Sequence, residues 1–136
     1  MVWFGLPAWA ALLLAVLEKR LGLKFSTQDV YLSVAGGLRL DEPSADLGIA
    51  LALISGITER VLPDDLIAVG EIGLAGECRA VSHFDYRVKE AARLGFGKII
   101  CPQKNEKKLT AKTTATLCGV STLYDTLKLL NKQTKE

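Results

Sequence analysis

From Ala45 to Ile57 the only charged side chain is Asp46. A helix that is apolar most of the way round cannot lie on a surface and has to be covered on more than one side. The residues ahead of it read as a helix start. Asp41, Glu42, Pro43 and Ser44 place acids, a fixed backbone angle and a small hydroxyl where orphan amides and the positive dipole end favour them. A chain of 136 residues has room for one core, so the remaining elements are expected to pack around this helix. The 49% of apolar residues is ample for that core and excludes a disordered chain.

Helices and strands alternate along the rest of the sequence. Residues 7–21 read as a core-facing helix with Pro7 near its first turn and Gly22 after its end. Residues 29–34 and 38–40 read as strands around the turn Ala35-Gly36-Gly37. Pro63-Asp64-Asp65 is a turn before the buried-strand run 66–69, and Gly73 to Gly76 is a hairpin turn leading into 77–81. Phe84 to Leu94 is an amphipathic helix stopped by Gly95 and Gly97. A strand follows at 98–101, ended by Pro102, then a short strand at 115–118 and a final helix from Thr122 to about Leu130 capped by Ser121. The class is α/β or α+β in one domain over residues 1–136.

Charge, cysteine usage and absent motifs narrow the function. The net charge is +2, but it is unevenly spread. Residues 1–97 carry nine basic and twelve acidic side chains, whereas residues 98–136 carry eight and three. The basic last third is the one electrostatic hint of an anionic partner. Cys78, Cys101 and Cys118 form no CxxC pair and are odd in number, which argues against zinc and against a disulfide framework. The expectation is a reduced, cytoplasmic protein. With a single histidine and no HExxH, no metal site is expected. No GxxxxGK[ST] loop occurs, so no nucleotide or other cofactor is expected. Met1 to Leu17 is uncharged, yet shorter than the ~20 residues that span a bilayer. It also lacks the leading cation of a signal peptide. Trp3, Phe4 and Trp9 instead make an apolar start that another subunit could cover.

Ser44 is the candidate for chemistry, because amides and dipole at the start of a buried helix favour a developing oxyanion. The wider pattern strengthens it: Glu42-Pro43-Ser44-Ala45-Asp46-Leu47, Gly36-Gly37-Leu38-Arg39-Leu40, Ala68-Val69-Gly70-Glu71-Ile72-Gly73-Leu74, Arg87-Val88-Lys89-Glu90-Ala91-Ala92-Arg93-Leu94-Gly95-Phe96, Ile99-Ile100-Cys101-Pro102 and Asn105-Glu106-Lys107-Lys108-Leu109. Over about residues 10–131 this string resembles the proteolytic domain of the Lon proteases. It is closer still to the Lon-like C-terminal domain of the RadA (Sms) family of bacterial DNA repair and recombination proteins. The resemblance implies a Lon proteolytic-domain fold, of the ribosomal protein S5 domain 2-like type.

Carried across residue by residue, the resemblance puts Lon's nucleophile on Ser44 and its catalytic lysine on Arg87. A Ser–Lys dyad needs an amine that can be neutral, and an arginine side chain stays protonated in proteins. Lys89 and Asp85 are two residues away along a helix, about 200° round it, and face elsewhere. His83, four residues before Arg87, is the alternative base for Ser44. Asp46 stands where Lon's G-P-S-A-G has its second glycine, and its charge would oppose an oxyanion. The expectation is a Lon fold that has lost the protease, with a serine peptidase using Ser44 and His83 as the alternative.

The resemblance further implies an oligomerisation scaffold, a hexameric ring of copies of the chain, and a contribution to DNA binding. Lys104, Lys107, Lys108 and Lys112 are the candidate phosphate contacts. A RadA ATPase core or a replicative helicase are the other partners it implies. Membranes are not among the expected partners.

Overall fold

The strand Lys98–Pro102 is buried on both faces and organises the domain. Ile100 belongs to one apolar cluster, while Ile99 and Cys101 belong to another. This is the period-2 signature of a strand with a layer on each side. The computed structural model describes residues 8–22, 43–60 and 62–133. The expected strands at 29–34 and 38–40, the turn between them, and Asp41 and Glu42 lie outside the described residues.

In chain order the elements are α1 (Ala8–Leu21), a 3₁₀ turn (Pro43–Ala45), α2 (Asp46–Thr58), β1 (Leu66–Ala68), β2 (Glu71–Ile72), β3 (Cys78–Arg79), α3 (Phe84–Arg93), β4 (Lys98–Pro102), α4 (Gln103–Lys108), β5 (Thr116–Val120) and α5 (Leu123–Gln133). β1, β4 and β5 form a parallel sheet with β4 in the centre. Its register pairs Ile67 with Ile99 and Ile99 with Leu117. β2 and β3 form a separate antiparallel hairpin, with Glu71 opposite Arg79. The class is α/β, as the sequence indicates.

The apolar helix finds the cover it requires. Leu47, Ala50, Leu51 and Ile54 of α2 are buried with Leu13, Val16 and Leu17 of α1, Leu123 and Leu130 of α5, and Ile100 and Val120 of the sheet. On the other sheet face, Phe84, Val88 and Ala91 of α3 pack on Ile99 and Cys101. α3 ends where Gly95 adopts a left-handed backbone (φ +94). The Gly95 amide then donates to Ala92 and the Phe96 amide to Ala91, at 3.1 and 3.0 Å. That closure uses the helix's last carbonyls and turns the chain into β4.

Several local features differ from the sequence reading. Gln103–Lys108 is a helix that apolar periodicity could not reveal, because none of its six residues is hydrophobic. The hairpin's second strand is two residues long instead of the expected 77–81. The cap of α5 is Thr122, not Ser121. The Asp125 amide donates to Thr122 Oγ1 at 3.2 Å, and Asp125 Oδ2 accepts the Thr122 and Ser121 amides at 3.2 and 3.0 Å. This is a reciprocal capping box with aspartate in the acidic position. The Ser121 hydroxyl is turned aside to Gln103 Oε1, 2.7 Å away.

Candidate functional site

Ser44 sits in the 3₁₀ turn that precedes α2, so the first fully helical residue is Asp46 and Ala45 is the cap. Pro43 suits the start of such a turn, with its angle preset and no amide to satisfy. Ser44 is half-buried. Its carbonyl accepts the Gly70 amide at 2.9 Å, and the Gly70 carbonyl accepts the Leu47 amide at 3.0 Å. The exit of β1 therefore clamps the start of α2. The clamp is close: a Cβ at Gly70 would lie 3.0 Å from Cys78 Sγ and 3.1 Å from Leu47 Cδ2. One orphan amide of the helix start, Leu47, is thus committed to a protein carbonyl.

Asp46 is tied to the hairpin. Its Oδ2 accepts the Ile72 amide at 3.1 Å. Desolvation pushes its pKa up, the Ile72 bond works against that, and the neighbouring Glu71 charge adds to the rise. Asp46 is therefore a staple between α2 and β2. It also places a carboxylate two residues from Ser44.

The other candidate residues lie where the hairpin runs into α3. His83 is the N-cap of α3, exposed and left-handed (φ +56), with no cap bond from its side chain. The i, i+4 spacing expected between His83 and Arg87 presumes two helical residues, and His83 is not helical. Arg87 is half-buried, and its Nε donates to the Ser82 carbonyl at 2.9 Å. Lys89 is exposed, and Asp85 accepts the Thr110 hydroxyl.

α4 holds this junction from outside. Asn105 makes a two-bond clip to Val81, accepting its amide at 2.9 Å and donating to its carbonyl at 3.0 Å. Glu106 faces β5, where a Cβ on Gly119 would strike its carboxylate and come within 3.1 Å of Gln103 Cα. With Asn105 and Glu106 turned inward, Lys104, Lys107 and Lys108 are exposed, as is Lys112 beyond the helix. The sequence reading selected these lysines but missed the anchors Gln103, Asn105 and Asp125. The Thr122-x-x-Asp125 pattern was the available signal for the last of them.

The profile of the Lon protease (S16) C-terminal proteolytic domain matches residues 15–123. The chain belongs to that family. It is also similar to curated proteins called DNA repair protein RadA. Identity is 49% to that of Halalkalibacterium halodurans, covering 88% of this chain and 26% of the relative. It is 54% to that of Synechocystis sp., covering 66% and 18%. It is 43% to that of Bacillus subtilis, covering 87% and 26%. The chain spans about a quarter of the length of the first relatives it matches. Its likeness is to the Lon-like C-terminal domain of RadA.

Among the described residues, no group of three or more His, Cys, Asp or Glu could hold a metal ion. The cysteines are free thiols. Burial pushes the pKa of the Cys78 and Cys101 thiols up to about 12, which favours their protonated form. No helix among the described residues is long and apolar enough to cross a membrane.

Proposed function

We propose that this Lon-family domain is non-proteolytic and serves a RadA-type DNA repair protein as an oligomerisation scaffold and auxiliary DNA-binding surface. The observation that carries the first part is that Arg87, on which the resemblance puts Lon's lysine, donates through Nε to the Ser82 carbonyl. A guanidinium cannot take the Ser44 proton at neutral pH. The engaged Leu47 amide and the Asp46 carboxylate support the same reading, since both make the surroundings of Ser44 less suited to a developing oxyanion. A Ser44–His83 pair is the competing mechanism. The exposed, non-helical placement of His83 gives it little support.

The lysines of α4 support the DNA surface. Three of the helix's six residues are Lys104, Lys107 and Lys108, all exposed. Such contacts read phosphates without regard to sequence, and their affinity falls steeply with salt. The scaffold role is what the resemblance to the Lon family implies.

The deciding experiment is a serine-directed covalent probe read by intact mass, alongside light scattering of the chain in solution. The expected result is no adduct and a multimer. Stoichiometric labelling that disappears in Ser44→Ala would restore the peptidase, and a monomer at micromolar concentration would remove the scaffold.

A further inference from the structure

The basic third contains three acids, Glu106, Asp125 and Glu136. The two that the structure describes are engaged within the fold. Glu106 lies against Gly119, and Asp125 accepts the two amides that open α5. The exposed charge that α4 and α5 present is therefore lysine: Lys104, Lys107 and Lys108 on one helix, Lys128 on the other. The two helix starts are joined, because Ser121 Oγ donates to Gln103 Oε1 at 2.7 Å. Gln103 precedes Lys104, and Ser121 stands three residues before Tyr124.

Tyr124 is the one aromatic residue of this third of the chain. It is 57% exposed, and Lys128 Nζ lies 4.8 Å from its ring centroid. A single exposed tyrosine is ordinary. An exposed ring with a cation over it, on a helix whose one acid, Asp125, is engaged by the backbone amides of Ser121 and Thr122, matches a polyanion that also carries flat apolar faces. A duplex keeps its bases stacked inside, out of reach of such a ring. A single strand can lay an unstacked base on it while phosphates meet the lysines.

We propose that Tyr124, with Lys128 over its ring, is a stacking platform for a base of a single-stranded nucleic acid whose phosphates run along the lysines of α4. The inference rests on the DNA-surface reading above and adds the strand class and the residue that selects it.

The test measures fluorescence anisotropy of the full chain with labelled oligothymidylate and with a labelled duplex, across a salt series. Tyr124→Leu should weaken single-strand binding roughly fivefold to a hundredfold, leaving duplex binding and the salt slope unchanged. Tyr124→Phe, which keeps the ring, should bind like the parent. Lys107→Ala with Lys108→Ala should weaken both ligands and flatten the slope. Unchanged single-strand affinity in Tyr124→Leu, or equal weakening of both ligands, overturns the platform. If the lysine variant still weakens both ligands in that case, the DNA surface stands without the platform. If the parent binds neither ligand at low salt, both readings fall. Melting curves of each variant confirm that the fold is kept.

Discussion

The Asp46 carboxylate accepts the Ile72 amide at 3.1 Å, joining the first turn of α2 to β2. Burial and the Glu71 charge raise the pKa of this group. A carboxyl raised in the folded state makes its ionised form a cost of folding. That cost is present above the folded pKa and vanishes below the unfolded value of about 3.9. Asp46→Asn keeps an oxygen for Ile72 and removes the charge. Its Tm at pH 7 is expected to equal or exceed the parent's, with any gain fading as pH falls toward 4. Asp46→Gly, the residue of the Lon motif, loses the acceptor as well and should cost about 1–2 kcal/mol. A pH series of melting curves checks both variants. An Asn variant that gains stability on acidification relative to the parent would contradict the assignment.

Gly70 is expected to tolerate no side chain. Its amide and carbonyl clamp Ser44 and Leu47, and an added Cβ would meet Cys78 Sγ at 3.0 Å and Leu47 at 3.1 Å. Cys78 and Leu47 are both buried, so neither can swing into solvent. Gly70→Ala should cost about 1–3 kcal/mol in urea unfolding. Cys78→Ala in the same chain should recover part of that loss by removing the sulfur. Independent, additive losses would mean that the sulfur is not the obstacle.

Asn105 should matter more to stability than its half-buried position on a lysine-rich helix suggests. It satisfies both backbone groups of Val81, at 2.9 and 3.0 Å. Asn105→Ala leaves that amide and carbonyl to find water, which should cost about 1–3 kcal/mol. Hydrogen exchange should show the hairpin exit near Ser82 opening first. Lys104→Ala, exposed on the same helix, should stay within about 0.5 kcal/mol of the parent.

Much of this architecture is legible in the chain because its signals are local. The apolar run of α2, the Gly95 stop of α3 and the run Ile99-Ile100-Cys101 each carry their own period or terminator. The expected bounds of α1, α3 and β4 lie within a residue of those found. α4 is not legible, because a six-residue polar helix has no apolar face. It forms because Asn105 and Glu106 meet partners more than ten residues away in sequence. The site is legible only in part for the same reason. Spacing places Ser44 and Arg87 on a family pattern, but it cannot reveal that the Asp46 carboxylate is bonded to Ile72. Nor can it show that His83 leaves the helical region, since that depends on the turn geometry at the hairpin exit. The sequence reading makes Ser121 the cap of α5, and the engagement of its hydroxyl by Gln103 is not visible in local sequence.

That last point gives a direct comparison. Thr122→Ala removes the hydroxyl that accepts the Asp125 amide at 3.2 Å. It should cost about 1 kcal/mol. Ser121→Ala loses an exposed bond to Gln103 at 2.7 Å and should cost about 0.5 kcal/mol or less. Thermal unfolding of the two variants ranks them, and the reverse order would return the cap to Ser121.

Arg87→Lys introduces an amine that can be neutral at the position where the resemblance puts Lon's lysine, so it tests whether Arg87 alone prevents chemistry at Ser44. The arginine is bonded through Nε, in mid-side chain, to the Ser82 carbonyl at 2.9 Å. Lysine has no donor at that point, and its ammonium is a point charge on a flexible stem. Even with the amine near Ser44, the Asp46 carboxylate stands two residues from the nucleophile, and the Leu47 amide remains bonded to Gly70. The expected outcome is therefore no labelling of Arg87→Lys by a serine-directed probe above its Ser44→Ala control. The change should cost about 0.5–1.5 kcal/mol of stability from the lost hydrogen bond. Addition of Asp46→Gly to Arg87→Lys removes the opposing charge and is the variant in which labelling is expected first. Labelling of the single variant would mean that Arg87 alone blocks the chemistry and that the Asp46 charge is irrelevant to it.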